Sequence, residues 1–79
     1  MSFYLDSSVL VAAITDIEPH HDPCAALLLG RTPLCVRPHA LVETFSALTG
    51  GRLALRLSAT TAVRLIEVNI VPRVTLPDL

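Results

Sequence analysis

The stretch Phe3-Tyr4-Leu5-Asp6-Ser7-Ser8-Val9-Leu10-Val11-Ala12-Ala13-Ile14 decides how the rest of the chain is read. It opens as an apolar run, Phe3 to Leu5, of the length of a buried strand. An acid and two hydroxyls follow, and the apolar pattern then restarts at helical spacing through Val9, Leu10, Ala13 and Ile14. A buried strand that passes at once into a helix leaves Asp6 at the strand's C-terminal end. In open α/β sheets ligands bind along that edge. The same position is the N-terminus of the next helix, where a carboxylate accepts hydrogen bonds from free backbone N–H groups. Capping alone would account for Asp6. Because one carboxylate oxygen can cap while the other faces a ligand, both readings stand.

Working outward, the first helix is expected over about Ser7 to Ile14, ended by Thr15-Asp16-Ile17-Glu18-Pro19, since the residue before proline disfavours helix. His20-His21-Asp22 could suggest a metal site. Three consecutive residues do not face one way on a helix, however, so His20 and His21 read as a solvated loop and Asp22 before Pro23 as an N-cap with proline at the first helical position. The second helix is then expected over about Pro23 to Leu29, with Gly30 as a left-handed C-terminal residue. A second strand is read at Leu34 to Val36. A third helix runs from Pro38 or His39 to the Gly50-Gly51 pair, with Leu41, Phe45 and Leu48 as its apolar stripe and Val42 beside them. Ser58 caps a fourth helix, about Ala59 to Glu67. A third strand is expected within Ile70 to Leu76, followed by a turn at Pro77-Asp78-Leu79. The order β-α-α-β-α-α-β implies a parallel α/β sheet with right-handed crossovers.

On the third helix Glu43 lies nearly opposite the centre of the apolar stripe, beside His39, Ser46 and Ala47. An ordinary solvated glutamate fits that position. Its flanks are nevertheless small and uncharged, which furnishes a purely solvated face poorly.

Composition narrows the classes. A chain of 79 residues that is 52% hydrophobic and only 16% charged has more apolar surface than one small domain buries easily, so self-association is expected. The net charge of −1 exerts no bulk pull toward nucleic acid. All six basic residues (31, 37, 52, 56, 64 and 73) are arginines, which suit bidentate phosphate contacts but also follow from codon usage in a GC-rich genome. Cys24 and Cys35 form no metal motif and read as reduced, buried thiols. There is no secretory leader and no run approaching the roughly 18 apolar residues of a membrane span, so a cytoplasmic chain without membrane contact is expected.

Taken together, Tyr4-Leu5-Asp6-Ser7-Ser8-Val9-Leu10-Val11-Ala12, His39-Ala40-Leu41-Val42-Glu43-Thr44-Phe45-Ser46-Ala47-Leu48-Thr49, the Leu57-Ser58 helix start and the Val71, Val74, Leu76 segment resemble the PIN domain, and among PIN domains the VapC toxins of bacterial toxin–antitoxin pairs. The resemblance implies an α/β, three-layer fold with a parallel sheet, truncated after the third strand, so that residues 1–79 form the N-terminal portion of a single PIN-like domain. It implies an endoribonuclease that cleaves RNA with Mg²⁺ or Mn²⁺ held by acids. Asp6 matches the first acid, Glu43 the second, and Ser7 and Ser8 the small polar pair beside the first. An antitoxin partner and a homodimer are also implied. Two further acids of the family pattern have no counterpart here, and Asp78 matches neither. Weak Mg²⁺ binding and impaired cleavage are therefore expected, the alternative being a non-catalytic remnant that dimerises or binds an antitoxin.

Overall fold

The computed structural model describes residues 3–50 and 56–77. Its elements are β1 (Phe3–Tyr4), α1 (Ser7–Ile14), α2 (His21–Leu29), β2 (Leu34–Cys35), α3 (Pro38–Thr49), α4 (Ala59–Asn69) and a 3₁₀ turn at Val71–Arg73. The fold is α/β, with two parallel strands and four helices. Parallel pairing sets Phe3 opposite Leu34 and Tyr4 opposite Cys35. The Leu5 amide donates to the Cys35 carbonyl at 2.9 Å, extending the ladder toward Asp6.

The expected third strand is reduced to one parallel bridge between Cys35 and Thr75. There the Val36 amide donates to the Thr75 carbonyl and the Thr75 amide to the Leu34 carbonyl, both at 2.9 Å. The parallel direction is as expected, but Ile70 to Arg73 is not extended, and the chain becomes extended only at Val74. Two local causes act. Asn69 donates from Nδ2 to the Leu65 carbonyl, carrying α4 two residues past Glu67, and Pro72 sits in the 3₁₀ turn that follows. Ile70 is fully buried at that corner.

Burying Leu10, Leu48, Val36 and Ile70, all essentially inaccessible to solvent, supplies about 1.5–3 kcal/mol each. Along α3 the buried line is Ala40, Thr44 and Leu48, whereas Leu41 and Phe45 are half-buried and Val42 is exposed, so the buried line is rotated from the stripe read from sequence. Thr44 enters the core because its hydroxyl donates to the Ala40 carbonyl at 2.8 Å, which satisfies it within its own helix.

Three smaller expectations are corrected. The N-cap of α2 is His20 rather than Asp22, which lies in the first turn. His21 is not a solvated loop residue: its Nδ1 donates to the Ala12 carbonyl at 2.8 Å, serving one of the carbonyls that α1 leaves unpaired at its C-terminal end. Gly30 is extended (φ −74°) rather than left-handed. Gly50 closes α3 in right-handed geometry, and the glycine is needed for another reason: a Cβ there would stand 2.6 Å from the Ser46 carbonyl oxygen. Both cysteines are free thiols, Cys35 buried and Cys24 half-buried. Gly51, Arg52, Asp78 and Leu79 lie outside the described residues.

Candidate active site

Asp6 follows the end of β1 in extended geometry and caps α1. Its Oδ1 accepts from the Val9 amide at 3.1 Å and from the Ser8 hydroxyl at 2.7 Å. Both bonds fall on one oxygen, leaving Oδ2 without a partner among the described residues. The Ser8 hydroxyl foremost, and then the Val9 amide, hold the carboxyl below its ordinary pKa. Asp6 stands exposed at the sheet edge, where solvent and these bonds alike favour its anion.

Glu43 reaches the same edge from α3, one turn after His39, whose Nε2 stands 3.7 Å from its Oε2. Pro38 in the first turn of α3 starts that helix directly after β2, so that Glu43 projects beside the end of β1. Asp6 and Glu43 line one open cleft of about 260 Å³ together with Tyr4, Leu5, Arg37, His39 and Ala40. Glu43 is also a wall of an adjoining hollow of about 470 Å³, shared with Ser7, Ser8, Val11, Glu18, Val42, Ser46 and Ala47. The four residues singled out from sequence, Asp6, Ser7, Ser8 and Glu43, thus come together along one side of the molecule, with Glu43 common to both hollows.

Two neighbours were missed by sequence reading. Glu18 brings a second carboxylate, beside Glu43, to the larger hollow by way of the turn after α1, in which its amide donates to the Thr15 carbonyl. No spacing rule ties it to Asp6. Arg37 places its guanidinium carbon 4.9 Å from the centroid of the Tyr4 ring. The signal that could have found this pair is the parallel register, because Tyr4 opposite Cys35 sets the residues after β2 beside those after β1.

The carboxylates and hydroxyls lining these hollows are oxygen donors, the set preferred by Mg²⁺ and Mn²⁺, while Arg37 and His39 bring nitrogens to the smaller one. Among the described residues no three His, Cys, Asp or Glu side chains are arranged to hold an ion. The two carboxylates therefore fit a cation that keeps much of its own water, as Mg²⁺ commonly does.

Carboxylates brought from a strand end and a helix to one α/β sheet edge suit a divalent cation and the phosphate ester it would activate. The model of the PIN domain family matches residues 3–78, and the chain belongs to that family, whose members are typically metal-dependent nucleases. No curated protein and no solved structure matches it.

Proposed function

We propose that this chain is a VapC-like endoribonuclease of a toxin–antitoxin pair, in which Asp6 and Glu43 hold Mg²⁺ or Mn²⁺ at the sheet edge. The observation that carries the reading is the convergence of these two carboxylates, distant in sequence, on one cleft. Ser8 and the Val9 amide hold one oxygen of Asp6, and this cap fixes the direction in which its other oxygen points. Ser7 supplies a neutral oxygen donor in the adjoining hollow. A bound divalent ion supplies charge neutralisation at the scissile phosphate and lowers the pKa of a water. Two acids offset only part of the cost of removing water from Mg²⁺, so binding by these residues is weak and cleavage slow.

A homodimer and an antitoxin are the proposed protein partners, and the cytoplasm the proposed compartment. Among the described residues no helix is long and apolar enough to cross a membrane. The groove between α3 and α4, lined by Leu41, Val42, Phe45, Val63 and Ile66, favours a second reading, a non-catalytic module that binds through apolar contacts. Val42 is 64% exposed there.

The deciding experiment incubates the chain with single-stranded RNA in Mg²⁺, Mn²⁺ or EDTA, beside Asp6→Asn and Glu43→Gln. Metal-dependent cutting that both substitutions abolish supports the nuclease. Cutting that survives Asp6→Asn leaves that residue with its cap alone. Absence of cutting, with sedimentation showing a stable dimer, supports the binding module.

A further inference from the structure

We propose that Arg37, held over the face of Tyr4, is the phosphate-binding side of the acid cleft and aligns single-stranded RNA across Asp6 and Glu43. The proposal rests on the nuclease reading above and adds to it the group that receives the strand.

The argument begins with charge. A cleft whose ionised groups include Asp6 and Glu43 repels a polyanion, and the chain as a whole, at −1, offers no compensating field. Arg37 lines the same cleft. Its backbone is fixed: it is the extended N-cap of α3, its carbonyl accepts from the Ala40 amide at 2.9 Å, and Pro38 follows it. Its side chain is fixed differently, by the ring of Tyr4. Tyr4 is 56% exposed, a large aromatic surface left at the end of a strand, and the guanidinium covers part of it.

Two other arginines are engaged by helix ends. Arg73 donates to the Val68 and Asn69 carbonyls at the end of α4, and Arg56 donates to the Thr49 carbonyl at the end of α3. Among the described residues nothing accepts a hydrogen bond from the Arg37 guanidinium, so its fork of N–H donors remains available. A guanidinium stacked on a ring keeps its in-plane donors free, and those donors match two oxygens of a phosphate. Tyr4 thus acts as a positioning residue, and Arg37 as the contact.

The test reads binding apart from cleavage. A short fluorescein-labelled single-stranded RNA is titrated in EDTA by fluorescence anisotropy across a NaCl series, with circular dichroism confirming that each variant is folded. Arg37→Ala is expected to weaken binding about tenfold and to flatten the plot of log affinity against log salt by about 0.7, the loss of one phosphate contact to a single strand. Arg37→Lys keeps the slope and recovers part of the affinity. Tyr4→Leu also keeps the slope and weakens binding severalfold, because the charge remains but is no longer held. Arg64→Ala, an exposed arginine on α4, changes neither.

An unchanged slope in Arg37→Ala, or wild-type binding by Tyr4→Leu, overturns the proposal. If Asp6→Asn still abolishes cleavage in that case, the nuclease reading survives without the clamp. The pattern expected for the clamp in a chain that never cleaves RNA would instead uphold the clamp and remove the nuclease. A wild-type chain that fails to bind the RNA even at low salt removes both.

Discussion

Helix α3 serves two regions of opposite construction. On its inner side Ala40, Thr44 and Leu48 are buried, and Ala40 and Leu48 share one cluster with Leu10, Ala62 and Ile66. On its outer side Glu43 stands exposed at a cleft with Asp6, Tyr4 and Arg37. The inner region is held by burial and close packing. The outer one is held by backbone ends: the strand terminus before Asp6, the cap on α1, and the helix start at Pro38. The difference teaches that charge at the edge can be altered without disturbing the core, and that core volume cannot be altered without losing the edge as well.

Removing core volume should have the largest effect. Leu48→Ala leaves a cavity at a fully buried position and is expected to cost about 2–5 kcal/mol. Against a total stability on the order of 5 kcal/mol for a chain of this size, urea titration should show much of the population unfolded. A loss under about 1 kcal/mol would mean that α3 is not packed as described.

Next comes charge at the edge. Asp6→Asn is expected to lower RNA cleavage by about a hundredfold or more, roughly 2.7 kcal/mol in activation free energy, with a Tm near that of the native chain. Asparagine caps a helix about as well as aspartate, so the fold keeps its N-terminal hydrogen bond while the site loses its anion. A fall in Tm parallel to the fall in activity would break the separation between the two regions.

The cap itself is a smaller matter. Asp6→Ala removes the acceptor for the Val9 amide and should lower stability by about 1 kcal/mol, against a few tenths for Asp6→Asn, as read by thermal unfolding. Equal losses would show that charge rather than hydrogen bonding stabilises α1.

The smallest effect concerns pH. The folded-state pKa of Asp6 is depressed, so its contribution to stability is complete above the pKa of the unfolded chain. It is lost as pH falls from that value through the folded one. Ser8→Ala removes the foremost cause and should raise the Asp6 pKa toward its ordinary value, measured by carbon NMR of the carboxyl group. The acid-dependent part of stability should shrink with it. An unmoved pKa would transfer the cause to the backbone amides.

Much of this could be read from local sequence, because caps and turns act within one helical turn. Asp6 and Ser58 both cap as their sequence context indicates, α1 spans Ser7–Ile14, and proline and glycine bracket α3. The parallel order of the strands followed from the helices between them. Sequence alone thus determined the four helices, the first two strands, their order and the edge to which Asp6 belongs. Only the tertiary structure decided that Thr44 rather than Phe45 lies in the core, since a hydroxyl satisfied by its own helix no longer opposes burial. It also decided that the third strand shrinks to Thr75, that His21 ties α2 to α1, and that Arg37 rests on Tyr4. These are contacts between distant parts of the chain, and the parallel register of β1 with β2 and the packing of the helices set them, beyond the reach of any preference within one turn.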